Sequence, residues 1–417
     1  MEDSEEISQQ ARPEKKPRVD ADTQGHSTTQ RVAVTKVLDD DDLLRGIIVR
    51  VGLPNTLVHA ALVCKRWLEH ASDRKFLRRF RELHPPRLLG YYITDVPILS
   101  QGLYCPRFVP MLPQPRELAT LIRRLENYKF GMHDIMQCRN GSVFTKRRRG
   151  TEWTHGVHHP LSAQKGLQYV PPLPHTQDHN RQKFSAIISK DEGSSLSYLY
   201  LLGESTGEAG KTMARVYLLQ DGVWRMHTSA TCLHSLHLGP KALLVDKNIY
   251  VPTARGDELI VLDLTASSFS AIQPPQGVKY HYFKSMLSRV DDASSVYFIH
   301  VEEFLLRVWL RKGDNWMLVD TICLHKMLDT LGISDHTLEN EGAGNVQIEQ
   351  VGDNGQFVFL RMRQCIFYLD IKRETLCKVY ENMVNDQCFG FHPFMMIWPP
   401  TFPALKDDPA RMLLDGK

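Results

Sequence analysis

Three groups of residues in this chain have the types that do chemistry. The first is Gly203-Glu-Ser-Thr-Gly-Glu-Ala-Gly-Lys211-Thr212, which follows an apolar run and looks like a phosphate-binding loop. Such a loop needs a glycine five positions before its final one, and Ser205 stands there. Beyond it, Arg215 to Leu219 alternate toward a strand where a phosphate loop must open a helix, so the amide cradle would be absent. A hairpin loop is the better reading. The second group is His155, His158, His159, His175 and His179 with Asp178, because neutral imidazoles ligate zinc. Their spacing matches no common structural site, and a solvated histidine-rich loop is the plainer account. Third, Ser, His and Asp are abundant, but no Gly-x-Ser-x-Gly elbow is present to make a serine nucleophilic. No catalytic residue, cofactor or resident metal is expected.

The bulk properties point away from several function classes. With 417 residues the chain is too long for one small core and suggests two or three domains. A net charge of +3 gives no general argument for nucleic acid or acidic substrates. The eight cysteines are dispersed, without a closely spaced metal-ligand pair, as suits free thiols in a reducing compartment. The opening Met-Glu-Asp-Ser-Glu-Glu is no secretory signal, and no apolar run is long enough to span a bilayer. The expectation is a soluble intracellular protein of nucleus or cytoplasm, with neither nucleic acid nor membrane as a partner.

The elements divide the chain. Residues 1–36 carry almost no large apolar side chains and cannot repay the entropy of ordering, so a disordered tail is expected. Within it Lys15, Lys16 and Arg18 lie in Arg12-Pro-Glu-Lys-Lys-Pro-Arg18, which resembles a short nuclear import signal. A second basic cluster, Lys146-Arg147-Arg148-Arg149, reads as a solvated loop in the folded part. From residue 37 the spacing turns helical. Leu43, Leu44, Ile47, Ile48 and Val51 share one stripe, with Asp39 or Asp40 placed to cap the helix. Gly52 stops it, and Pro54 suits the first turn of the next, whose Leu57, Val58, Ala61 and Leu62 again share a face. Ser72 and Asp73 offer a further start before Phe76, Leu77, Phe80 and Leu83. Three or four short helices follow, and Ile48, Val51, Leu62 and Cys64 are expected to pack inside them.

This segment resembles the F-box, through the Leu43-Leu44 and Ile47-Ile48 pairs, the apolar residues around Leu57 and the signature Val63-Cys-Lys-Arg-Trp67. The extension Phe76-Leu-Arg-Arg-Phe-Arg81 with His84-Pro-Pro86 and Leu88-Leu-Gly90 is similar to the form in grass F-box proteins. The usual opening Leu-Pro is replaced by Val37-Leu38-Asp39, where Leu38 supplies the anchoring side chain. The resemblance implies docking on a Skp-type adaptor and, through it, a cullin scaffold. The adaptor-facing candidates are Leu38, Leu43, Leu44, Ile47, Leu57, Val58, Val63 and Trp67. A small helical module with more apolar stripe than it can bury agrees with a partner-binding role.

Beyond about Tyr128 the pattern becomes strand-like. Tyr198–Leu202, Arg215–Leu219, Ile249–Val251, Leu259–Leu262, Val296–Ile299, Phe304–Trp309 and Gln356–Leu360 are short apolar runs separated by Gly, Asp, Asn and Ser. Trp224, Phe269 and Trp316 recur at the roughly 40–50-residue period of a propeller blade. Weaker units fall at Met136–Gly141 with His159–Leu161, and from Val346 to Tyr380. This half, with its closing Phe391–Pro403, resembles the F-box-associated, Kelch-like β-propellers of plant F-box proteins.

The expected architecture is therefore an α+β multidomain protein: tail 1–36, F-box 37–84, a linker or helical connection 85–127, a β-propeller 128–403 and a tail 404–417. The resemblance implies a non-catalytic substrate receptor of a cullin-based ubiquitin ligase, holding the adaptor at one part and an unknown target protein at the other. Tethering raises the effective concentration of target lysines. The alternatives are a propeller enzyme or metal-binding protein with an incidental helical leader, or an F-box protein with a non-degradative role. Arg255, His281, Tyr282 and Asp353 lie in loop-like stretches, with nothing in the sequence to raise them above their neighbours.

Overall fold

The structure is a computed structural model. It describes residues 37–97, 105–150, 152–162, 165–174, 182–192, 195–206, 211–233, 236, 241–253, 255–290, 295–331, 346–381 and 386–402. The expected tails, the import signal at Lys15, Lys16 and Arg18, and His175, Asp178 and His179 lie outside these residues. Two compact units are present, Met1–Pro85 with Pro400–Lys417, and Pro86–Pro399.

Among the described residues the first unit holds four helices: α1 (Asp41–Ile48), α2 (Pro54–Ala61), α3 (Lys65–Ser72) and α4 (Arg74–Leu83). Their ends follow from local chemistry. The Asp40 side chain accepts the amides of Asp42 and Leu43, so Asp40 rather than Asp39 caps α1. Pro54 opens α2, and the Asp73 side chain accepts the Phe76 amide to start α4. The core of the unit is Leu44, Ile48, Leu57, Ala61, Leu68, Phe76 and Phe80, all buried. The expected inward packing of Leu62 and Cys64 is not found. Both are exposed, because α2 ends at Ala61 and the chain turns there before α3 begins.

The second unit is a six-bladed β-propeller, built from six antiparallel sheets among the described residues. Blade 1 contains β3 (Asp134–Arg139), β4 (Ser142–Arg149), β5 (Glu152–His158) and β6 (Leu167–Val170). Blade 2 contains β7 (Gln182–Glu192), β8 (Ser195–Ser205), β9 (Thr212–Gln220) and β10 (Val223–Cys232). Blade 3 contains β11 (Leu243–Val245), β12 (Asn248–Pro252), β13 (Leu259–Asp263) and β14 (Ser268–Ile272). Blade 4 contains β15 (Ser285–Arg289), β16 (Val296–Glu302), β17 (Leu305–Lys312) and β18 (Asn315–Cys323). Blade 5 contains β19 (Gln347–Val351), β20 (Phe357–Met362), β21 (Cys365–Asp370) and β22 (Thr375–Glu381). The seven apolar runs read from the sequence fall in these strands, except that Phe304 and Gln356 lie one residue before theirs.

Burial falls from axis to rim. Middle strands such as β13 are covered on both faces, whereas β14 is mostly exposed. Apolar clusters join neighbouring blades, for example Phe144 and Val157 of blade 1 with Tyr198 and Leu202 of blade 2. The periodic aromatics sit at the second position of the outer strands. The Trp224 indole donates to Pro171 O at 3.1 Å, and the Trp316 indole to Gln273 O at 2.7 Å. Each acceptor is the first residue after the outer strand of the preceding blade. The period in the sequence is thus a repeated clasp between blades.

The sixth blade corrects one expectation. The segment 85–127, expected as a connection, contributes β1 (Leu88–Pro97) and β2 (Cys105–Pro110), which form a sheet in the order β2-β1-β23 with β23 (Asp386–Met395). Among its described residues, the short 3-10 turn Arg116–Leu118 and α5 (Ala119–Asn127) are helical in the manner expected. The propeller therefore starts before residue 128, and its ring is closed by strands from both ends of the unit. Tyr92, packed on Phe108 and Phe394 of this blade, meets Phe130 ahead of β3, and the Trp398 amide donates to Asn140 Oδ1 at 2.9 Å. Gly141, at φ +74°, leaves the space that Ile397 occupies.

Candidate functional site

A polar lattice orders the apolar surface of the helical unit. The Arg66 guanidinium at the start of α3 donates to Asp41 Oδ1 at 2.7 Å, Leu38 O at 2.7 Å and Asp39 O at 2.6 Å. His70 lies 3.0 Å from the same Asp41 oxygen, and the Arg45 side chain donates to His70 Nδ1 at 3.1 Å. Hydrogen bonds from Arg66, then His70, hold the Asp41 carboxyl below the ordinary carboxylate range. The lattice ties the first turn of α1 to α3 and keeps the Leu62-Val63-Cys64 turn, two residues before Arg66, next to it in the chain path.

The eight adaptor-facing candidates divide by burial. Leu43 is 51%, Ile47 40% and Val63 64% exposed, and Leu38, Val58 and Trp67 are half-buried. Leu44 and Leu57 are fully buried and support the core, so neither offers a side chain to a partner. Leu62, expected on the inward face of the second helix and not among the adaptor-facing candidates, is 60% exposed because the helix ends at Ala61.

In the propeller, the first strands of blades 3, 4 and 5 begin at one end of the axis. There Lys241 Nζ donates to Tyr282 O at 2.7 Å and Ile348 O at 3.3 Å, and lies 4.7 Å from the Tyr282 ring centre. Burial pulls the lysine down to about 8, partly offset by Glu349. At the other end, where β3, β15 and β19 finish, Asp353 meets two arginines. Arg139 pairs with it through both nitrogens, at 3.1 and 2.9 Å, and Arg289 lies at 3.2 Å. Of the four loop residues without distinction in the sequence, Asp353 thus joins three blades, and Tyr282 receives the lysine that joins blades 3, 4 and 5. His281 and Arg255 are exposed.

The chemical candidates take up structural roles. The phosphate-loop-like stretch joins β8 to β9, paired from Ser205 with Thr212 onward, which is a hairpin; its residues 207–210 lie outside the described ones. His155 and His158 are not in a loop but in β5, three positions apart and so on opposite faces of the sheet. They do not converge on one ion. Tyr128 Oη lies 3.0 Å from His158 Nδ1, and burial lowers both His155 and His158 to about 4, with Lys146 and His133 respectively adding to it. Among the described residues no group of three or more His, Cys, Asp or Glu is placed to hold a metal. No described helix is long and apolar enough to cross a membrane. The basic cluster at residues 146–149 is also strand, the end of β4, held by pairing with β3 and β5.

Comparison with known proteins fits this ring. No curated protein matches the chain. Solved structures resemble it only distantly: a Lactobacillus plantarum protein (11% identity, 70% of this chain, 82% of the other, TM-score 0.36) and a putative 6-phosphogluconolactonase from Bacteroides uniformis (14%, 76%, 86%, 0.35). A chain of a nidogen/laminin complex gives 11% identity over 73% of this chain and 98% of its own, with a TM-score of 0.38. Likenesses at such scores carry no argument. The family described as "F-box protein AT5G49610-like, beta-propeller" matches residues 134–402, which is more than half of the chain, and the protein belongs to that family.

Proposed function

We propose that the protein is the non-catalytic substrate receptor of a cullin-based ubiquitin ligase, with the helical unit acting as an F-box that docks on a Skp-type adaptor. The observation that carries this reading is the set of uncovered apolar side chains Leu43, Ile47, Leu62 and Val63, on a unit whose core is already filled by their neighbours Leu44, Ile48, Leu57 and Ala61. Uncovered groups of this kind on a small domain mark a surface that another protein covers. Membership of an F-box propeller family supports the same assignment. The mechanism is tethering. The helical unit holds the adaptor, the propeller holds a target, and the conjugating enzyme meets target lysines at raised effective concentration. Loops and sheet edges on a stiff ring suit target capture.

Co-purification with a Skp-type adaptor tests the reading. The wild-type chain retains the adaptor, and the double variant Leu43→Asp, Val63→Asp loses it while melting at an unchanged temperature. Retention by the double variant would remove the proposed surface.

A further inference from the structure

Blade 1 carries a second feature that adaptor docking does not use. Arg147 and Arg149 lie two positions apart on β4, so both project from the same face of the sheet, about 7 Å apart along the strand. Thr154 stands opposite Arg147 on β5, and its hydroxyl donates to Arg147 O at 3.3 Å. Tyr169 of β6, 74% exposed, completes a groove on that face, with His133 at its floor. The Nδ1–H of His133 donates to Phe130 O at 2.6 Å, which fixes the ring. Neither arginine has an ion-pair partner among the described residues. Glu152 is opposite Arg149 in register but forms no ion pair with it. By contrast Lys146, on the other face, is neutralised by Asp134 at 3.3 Å.

We propose that this groove seats a phosphorylated segment of the captured target. The inference rests on the receptor reading above and gives its target a chemical class. Two guanidiniums two residues apart on a strand bracket one tetrahedral dianion. They offer it paired N–H donors, which bind phosphate more strongly than a point charge does. The Tyr169 hydroxyl adds a donor at the rim. A strand held between two neighbours is a stiff platform, so little ordering is needed when the anion arrives. The neighbouring Met132, 45% exposed, gives apolar surface for a residue flanking the phosphate.

The test uses the full chain and immobilised degenerate nonapeptides with a central phosphoserine, alongside the same peptides with serine and a poly-uridine RNA. The wild-type chain binds the phosphorylated peptides more tightly than the unphosphorylated ones. Arg147→Ala with Arg149→Ala weakens that binding about tenfold or more, and Glu152→Gln leaves it unchanged or tighter. A melting curve on each variant excludes unfolding as the cause. Equal retention of phosphorylated and unphosphorylated peptides overturns the proposal, as does undiminished binding by the double variant or RNA binding lost on the same substitutions. Adaptor co-purification by the arginine variant keeps the two claims separate. If the wild-type chain retains the adaptor but holds phosphorylated and unphosphorylated peptides equally, the groove assignment alone is wrong.

Discussion

The helical unit and the propeller handle apolar surface in opposite ways. In the first, α1 buries Leu44 and Ile48 but leaves Leu43 and Ile47 uncovered on its next face. In the second, the inner strands of neighbouring blades pack on each other, and exposed apolar side chains such as Met226, Leu318 and Val319 stay on the outer strands. The ring ends on itself through Tyr92, which packs on Phe108 and Phe394 within its blade and on Phe130 ahead of β3. Under the receptor reading proposed above, the contrast assigns stiffness to the propeller and association to the helices.

The largest effect should come from opening the ring. Phe394→Ala removes a fully enclosed ring from the closing cluster and should cost about 3–5 kcal/mol, seen as an early loss of propeller signal on denaturation while adaptor binding by the folded chain persists. An undisturbed melt would show that closure does not hold the ring.

Acid should separate the two regions next. Burial holds His155, His158, His300 and His392 at about 4, below the ordinary 6.5, with nearby charges contributing for the first three. Their stability contribution is complete above 6.5. It is lost as pH falls from 6.5 toward 4, because the unfolded chain takes up protons that the folded ring refuses. In the helical unit Asp41 is lowered, chiefly by Arg66, so its contribution is lost only below the ordinary carboxylate value. Melting followed by tryptophan fluorescence from pH 7 to 4 should therefore show the propeller weakening first. A flat propeller profile across that window would contradict the neutral burial of these rings.

Smaller effects probe single contacts. Asp353→Asn removes the carboxylate that Arg139 and Arg289 share and should cost about 2 kcal/mol, read from chemical denaturation. Tyr92 has a buried hydroxyl with no hydrogen-bond partner, so Tyr92→Phe should stabilise the closing blade by about 1 kcal/mol. A loss instead would mean that the hydroxyl is satisfied.

The sequence revealed these regions unequally, for physical reasons. Periods of 3.6 and 2 are local, so three or four helices and the middle strands of several blades were legible, as were cap candidates at Asp39 or Asp40 and at Ser72 or Asp73. The tryptophan period was legible as repetition, but its meaning as an indole-to-carbonyl clasp required the neighbouring blade. Closure was hidden because it joins distant chain, as when Tyr91 Oη donates to Val379 O across 288 positions. Leu88 to Gly90 also read naturally as the end of the helical segment. In α1 the doublets Leu43-Leu44 and Ile47-Ile48 make a stripe too wide to tell which edge faces inward. Hence Leu44 and Leu57 were grouped with the exposed residues, and Leu62 was placed inside. The run of arginines on β4 concealed a strand because charge carries no alternation; its partners β3 and β5 impose the extended form.

Hydrogen exchange on the full chain, with and without a Skp-type adaptor, tests the division of labour most directly. The account predicts slowed exchange confined to residues 37–48 and 62–67, with the propeller strands unchanged. Protection centred on the propeller, or none in the helical unit at saturating adaptor, would contradict it.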